Sequence, residues 1–309
     1  MTETATKEKL KKQKNMRSIK MHIFCYAMMF PAIASFIVFY VYINFSSILM
    51  AFQVPVGAGG EFEWGFGNFS YFFKEMSYGD SLFNEALVNS LLFWVCNTYM
   101  DLPVAILFCY FIFKKIWGYN TLRVLIYLPN IVIGTVTSAL FKQVIALNGP
   151  IAVLISNFGW QMQPLYQSSS TAMPFLIFYN FFYGIGGNFI LLGGAMNAVS
   201  EETLEAAKLD GCGWFRELVQ LIIPMCWPTL STMLITSMAG LFTSSGPILL
   251  FTQGAYGTYT ISYWFYECLL NGNNLEASAA IGIVFTIITT PIVLLWKKLL
   301  FKLDDKIGV

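Results

Sequence analysis

Long apolar runs alternate with short polar stretches along this chain. A helix that crosses a bilayer needs about 20 mostly apolar residues. Six runs reach that length: residues 22–45, 86–113, 122–141, 172–199, 221–250 and 275–301. The runs are continuous and do not alternate with a period of two, so they predict helices and not barrel strands. The second, fourth and fifth exceed a minimal span, which predicts tilting or extension past the lipid. Residues 57–67 are rich in glycine and predict a loop, and residues 149–158 predict a short interfacial helix on the outer side.

The basic residues give the runs a direction. All but Lys74 and Lys142 of the 18 lysines and arginines cluster at alternate ends of the runs: before the first, around the junction of the second and third, between the fourth and fifth, and from the end of the sixth onward. Basic residues concentrate on the cytoplasmic side of membrane proteins, so both termini are expected to be cytoplasmic. Residues 1–21 read as a basic cytoplasmic tail and 22–309 as a transmembrane domain. The outward stretch between the first two runs carries Glu61, Glu63, Glu75 and Asp80. The first run is too long for a signal-peptide core and no small-residue cleavage site follows it.

Composition agrees. The chain is 57% hydrophobic and 11% charged, with a mean hydropathy of +0.62, whereas soluble domains carry about 25% charged residues. That excludes an ordinary soluble enzyme, a secreted disulfide scaffold and a disordered chain. The net charge of +1 gives no reason to expect a nucleic-acid partner. The six cysteines form no CxxC pair and read as small packing residues. No phosphate-binding GxxxxGK[ST], HExxH, GxSxG or Cys/His metal spacing occurs. The chain is therefore expected to be no enzyme and to hold no metal or cofactor of its own. The lone His22 reads as an interfacial anchor.

The polar segment after the fourth run, residues 200–224, is the most charged internal stretch. Ser200 is a good N-cap, and Glu201 and Glu202 sit where negative charge suits a helix dipole. Residues 204–209 are helix formers. Asp210-Gly211 ends the helix, because glycine enters the left-handed conformation at little cost. A second helix is expected from near Trp214, with Pro224 and Pro228 interrupting its ladder. Leu204 and Leu209 are candidates for an apolar ridge on the first helix. An ordinary loop between two spans is the simpler reading, but such loops seldom build two capped helices.

Within this segment, Glu205-Ala206-Ala207, Asp210-Gly211 and Leu221-x-Ile223-Pro224 follow the pattern EAA-x2-DG-x9-hydrophobic-x-hydrophobic-Pro. The segment resembles the signature loop of permease subunits of ABC importers, with Cys212 where alanine is usual and Leu218 where phenylalanine is common. The resemblance extends to Tyr26-Ala27-Met28-Met29-Phe30-Pro31-Ala32, Phe39-Tyr40, Ala51-Phe52, Asn89-Ser90, Tyr127-Leu128-Pro129, Gly246-Pro247, Tyr263, Tyr266-Glu267 and Glu276-Ala277-Ser278-Ala279-Ala280. These stretches are similar to carbohydrate-importer permeases of the maltose-transporter F type. The resemblance implies an all-α integral membrane protein of six transmembrane helices, with a cytoplasmic coupling helix between helices 4 and 5. Leu204, Glu205, Ala206, Ala207, Leu209, Asp210 and Gly211 would then meet the ATP-hydrolysing subunit. The implied partners are a second permease, two ATP-binding subunits that hold the ATP and magnesium, and an extracytoplasmic sugar-binding protein. The implied location is the bacterial inner membrane.

Polar groups within a span often line a path. Asn180, Phe182, Tyr183, Gly186 and Asn188 in the fourth run combine aromatic faces with amides, the groups that sugars require. By the resemblance, Gly186 and Asn188 fall on the family pattern and Phe182 lies where tryptophan is common. Helix packing explains the same residues without a substrate. Asp101 is the acid nearest the middle of a span, and an acid there costs roughly 3 kcal/mol to insert. It should face the bundle interior or water, or be protonated, and reads as a structural or cavity-lining group. The reading is thus a permease subunit of an ATP-driven, binding-protein-dependent sugar importer. The rival is half of an ion- or proton-coupled carrier that uses Asp101.

Overall fold

A computed structural model describes residues 20–56, 61–77, 82–243, 246–271 and 275–307. Residues 1–19, most of the expected basic tail, lie outside the described residues, as do 57–60 of the expected glycine-rich loop. The chain divides into two compact units, residues 1–71 with 275–283 and residues 72–274 with 284–309.

The first unit opens with helix α1, Lys20–Ala51. It contains a π-helical stretch at Ile37–Tyr42 and is exposed along almost its whole length, with only Ala51 buried. A helix apolar all round that has no covering protein is suited to lipid or to another subunit. Strands β1 (Gln53–Val56) and β2 (Glu61–Trp64) then pair antiparallel, with Gln53 opposite Trp64. The segment expected to be loop, 57–67, therefore holds a short strand at Glu61–Trp64, because Phe62 and Trp64 are β-formers that alternate with charge. Helix α2 (Gly67–Ser77) follows. The Asn68 amide donates to the Ala51 carbonyl at 3.0 Å and the Gln53 carbonyl at 2.8 Å, tying the end of α1 to the hairpin.

The second unit is built on α3 (Leu82–Phe113) and α7 (Ala172–Asn197). At 1.5 Å per residue, the 32 residues of α3 span about 48 Å, well beyond a hydrocarbon core of about 30 Å. Leu102, Ala105 and Cys109 of α3 share one core with Phe189, Leu192 and Met196 of α7. Between these helices lie α4 (Tyr119–Ile131), α5 (Gly134–Val144) and α6 (Pro150–Asn157). After α7 come α8 (Glu201–Leu209), α9 (Trp214–Met225), α10 (Trp227–Ala239), α11 (Gly246–Phe251) and α12 (Ile261–Asn271). Helix α13 (Leu275–Ile307) begins in the first unit and ends in the second.

Four expected spans are single helices of membrane length: α1, α3, α7 and the stretch Leu275–Leu303 of α13. The other two are bent, so the helices form up to six spans. The expected span 122–141 is α4 and α5, inclined at 107°. The break follows Pro129, and Val132 is extended with ψ 137° before Gly134 restarts the helix. The expected span 221–250 begins earlier, at Trp214, and bends by 72° between α9 and α10. Pro224 and Pro228 flank that bend, where each lacks the N–H that a continuous ladder needs. The helix ends at Ala239, well short of residue 250.

The short helix expected at 149–158 is α6. Beyond α11, the Asn89 amide donates to the carbonyls of Gly257 (3.0 Å) and Tyr259 (2.8 Å), and the Ile261 N–H donates to Ser90 Oγ at 3.0 Å. The Asn89-Ser90 pair thus fixes a tight loop in which Gln253, Gly254, Tyr256 and Gly257 all have positive φ.

Candidate functional site

The charged segment folds as its local chemistry predicts. Ser200 is extended at ψ 139°, and its Oγ accepts the Thr203 N–H at 3.3 Å. Glu201 and Glu202 occupy the first turn of α8. At the other end Gly211 sits at φ +72°, and the Cys212 N–H reaches back to the Ala207 carbonyl at 3.0 Å. That closes the helix with the bond pattern of a glycine-ended C-terminus.

The two leucines of α8 do not form one ridge. Five residues apart, they are turned by about 140° around the helix. Leu204 is buried in the core shared with Cys109, Leu218 and Ile222, whereas Leu209 is 89% exposed. Glu205, Ala206, Asp210 and Gly211 are also exposed and Ala207 is half-buried. At the start of α9, Trp214 and Phe215 are exposed, with ring centroids 5.6 Å apart. Helix α8 is therefore anchored through Leu204, with Thr203 and Ala207 half-buried beside it, and exposes its remaining residues. An ion pair stands behind it: Lys114 Nζ, just past α3, meets Glu217 Oε1 on α9. Glu217 is buried and Lys114 mostly so. The sequence lists both charges but carries no local sign that they meet across 103 positions.

A second site lies between three helices of the second unit. A cavity of about 290 Å³ is lined by Asn97, Thr98 and Asp101 of α3, Asn188 and Leu191 of α7, and Thr232, Thr236 and Ser237 of α10, among others. Asp101 is only 4% exposed. Its Oδ1 and the Oδ1 of Asn97 are buried with no hydrogen-bond partner among the described residues. A Cβ added to Gly184 would lie 2.6 Å from Asp101 Oδ2, so that glycine leaves room for the carboxyl group. Thr98 and Ser237 share a hydroxyl hydrogen bond, and Trp94 Nε1 donates to the Ser237 carbonyl at 3.0 Å. The Thr232 and Thr236 hydroxyls bond back to their own helix.

The five expected path residues divide among different faces of α7. Asn188 lines the cavity with Asp101. Gly186 is buried, and a Cβ there would lie 2.6 Å from the Ile126 carbonyl, so it admits α4. The Tyr183 carbonyl accepts from Asn130 Nδ2 at 2.9 Å, and its ring stacks on Tyr179 at 6.4 Å. Phe182 is 45% exposed and faces Phe141 at 6.1 Å. Asn180 is half-buried. Sequence reasoning missed Asn97 and the hydroxyls of Thr236 and Ser237 on this cavity wall. The available signal was Asn97, Thr98 and Asp101 at i, i+1 and i+4 of one helix. Among the described residues no three His, Cys, Asp or Glu side chains come together as a metal site.

No protein-family model matches the sequence. Relatives do exist. The chain is 22% identical over 277 residues to the alpha-glucoside transport system permease protein AglF of Rhizobium meliloti, an alignment covering 85% of this chain and 78% of that one. It is 27% identical over 249 residues to the lactose transport system permease protein LacF of Rhizobium radiobacter, covering 77% and 80%. It is 25% identical over 267 residues to the sn-glycerol-3-phosphate transport system permease protein UgpA of Salmonella typhimurium, covering 84% and 88%. Among solved structures, a chain of a bacterial ABC transporter involved in the import of the acidic polysaccharide alginate superposes with a TM-score of 0.77 at 21% identity, covering 94% of this chain and 99% of that one. The alginate transporter in complex with its pentasaccharide-bound periplasmic protein gives 0.79 at 21% identity, covering 93% and 97%. The resemblance to carbohydrate ABC-importer permeases is thus supported by sequence relatives, and the fold is shared with a chain of the alginate transporter.

Proposed function

We propose that this chain is a membrane-spanning permease subunit of an ATP-driven, binding-protein-dependent sugar importer, with six spans and both termini in the cytoplasm. The observation that carries the reading is helix α8. It is capped at both ends, holds Glu205-Ala206-Ala207 and Asp210-Gly211, is anchored by Leu204 and presents Leu209 to the outside. A segment that exposes Leu209, Trp214 and Phe215 within a few positions suits a protein partner, and the relatives are transport permeases. The partners are a second permease, two ATP-binding subunits and an extracytoplasmic sugar-binding protein. ATP and magnesium reside on the ATP-binding subunits.

Motion at α8 has a physical route to the cavity. Leu204 packs in one core with Leu218 and Ile222 of α9. Beyond the bend, α10 carries Thr232, Thr236 and Ser237 to the cavity wall. Close-packed groups transmit displacement instead of absorbing it, so ATP-driven approach of the ATPases would tilt α9 and α10 and alternate the access of the path. The relatives differ in the charge of what they carry, from lactose and alpha-glucosides to glycerol phosphate and alginate, so descent alone does not set the substrate's charge.

The test is affinity purification of the tagged chain from native membranes in mild detergent, with its companions identified by mass spectrometry. Recovery of an ATP-binding subunit and a second permease is expected. Recovery of the chain alone, under conditions that keep a control importer intact, would overturn the reading and favour a carrier driven through Asp101.

A further inference from the structure

The cavity between α3, α7 and α10 holds two buried oxygen acceptors with nothing to accept. Asp101 Oδ1 and Asn97 Oδ1 lie one helical turn apart on α3, and both residues line the same space. A buried polar atom without a partner costs roughly 1–3 kcal/mol, and more when it is charged. The hydroxyls nearby do not relieve them. Thr98 is engaged with Ser237, Thr236 with the carbonyl of Thr232, and Thr232 with that of Pro228. The Lys114–Glu217 ion pair does not involve Asp101, and among the described residues no ion pair reaches it.

The space is sized for more than water. One water occupies about 30 Å³ of liquid, while small-molecule pockets begin near roughly 300 Å³, and this cavity measures about 290 Å³. Its walls combine apolar Leu102, Leu191 and Met233 with the amides and the carboxyl group. Hydroxyl or ammonium hydrogens satisfy orphaned acceptors, whereas a second carboxylate or a phosphate brings only more acceptors and like charge.

We infer that this cavity is a sugar subsite in which the Asp101–Asn97 acceptor pair receives hydroxyl or ammonium hydrogens, so that it admits neutral and amino sugars and rejects anionic ones. The inference rests on the proposed sugar-importer reading and deepens it by naming the charge class of the substrate. Asp101 acts here as a specificity residue.

The test uses the full chain, purified from native membranes into lipid nanodiscs with whatever subunits accompany it. Saturation-transfer NMR is run with three probes of one ring size: methyl α-glucoside, glucosamine and glucuronate. The wild type is expected to bind the neutral and ammonium sugars with about tenfold or greater preference over glucuronate. At an effective dielectric near 20, repulsion between unit charges reaches a tenfold effect at about 12 Å and exceeds it at closer range. Asp101→Asn, which keeps shape and removes charge, should bring glucuronate within about twofold of the neutral sugar. Gly184→Ala, whose new methyl displaces the carboxyl group, should weaken all three, with gel filtration confirming that both variants remain folded. Equal binding of the three sugars by wild type, no binding of any, or competition by sodium ions in place of sugar would each overturn the inference. Because the readout is sugar binding and not ATP-dependent uptake, its failure is distinguishable from absence of an ATPase partner, which would sink the importer reading instead.

Discussion

Replacing Lys114 with methionine removes the cation from a pair whose carboxylate has almost no access to solvent. The Glu217 side chain is 4% exposed and that of Lys114 23%. Lys114 Nζ also lies over the Tyr110 ring, 5.7 Å from its centroid. Breaking a buried pair from one side leaves an uncompensated charge, which costs about 3–5 kcal/mol, whereas replacing both partners with apolar groups is often neutral or better. Lys114→Met should therefore lower the thermal stability of the purified chain markedly, and Lys114→Met/Glu217→Met should recover most of the loss. Thiol-reactive fluorescence on heating is a suitable assay, because Cys109 and Cys226 are each 2% exposed in the same core and react when it opens. If the double variant unfolds at the same temperature as Lys114→Met, the loss does not come from a stranded charge and the reasoning fails. The pair also joins the end of α3 to α9 behind α8, so the single variant should lose transport coupling as well as stability.

Three further outcomes follow from the packing. Leu204→Ala should cost about 2–5 kcal/mol through the cavity it leaves, while Leu209→Ala should stay within about 0.5 kcal/mol yet abolish ATP-driven uptake; the pair of melting curves and an uptake assay check both. Gly186→Val should destabilise by about 1–3 kcal/mol or more through overpacking against α4, visible as a lower melting temperature, whereas the same change at Gly194, where an added Cβ meets nothing within 4 Å, should be far milder. Asn89→Ala leaves the Gly257 and Tyr259 carbonyls without their donor, at about 1–3 kcal/mol, and should raise proteolytic cleavage in the 252–260 loop without changing membrane insertion.

Features governed by neighbouring residues were legible in the sequence. The α8 cap at Ser200, its glutamates and the Gly211 stop depend on contacts a few positions apart, and each falls where the residues put it. The uninterrupted apolar runs gave α1, α3, α7 and most of α13 for the same reason. Hydropathy counts apolar residues and carries no direction, so the 107° turn after Pro129 was hidden within a run that looks continuous. Opposed roles on one helix were harder still. Gly184 makes space for a carboxyl group and Gly186 for α4, though the two are two residues apart in one run of glycines. The cavity joins residues from 97 to 237 on three helices, and the Lys114–Glu217 pair joins two distant charges. Such meetings are set by how helices pack, which no local pattern encodes. Leu204 and Leu209 mark the limit of reading type without geometry, since both are leucines and only the helical angle separates core from surface.

The most direct test of the central claim places a photo-crosslinking amino acid at Leu209 in one preparation and at Leu204 in another, in native membranes under light with and without ATP. The account predicts a covalent product with an ATP-binding subunit from position 209, altered in yield by ATP, and none from buried position 204. No product from either position, or equal products from both, would contradict the assignment of α8 as the element through which this chain is driven.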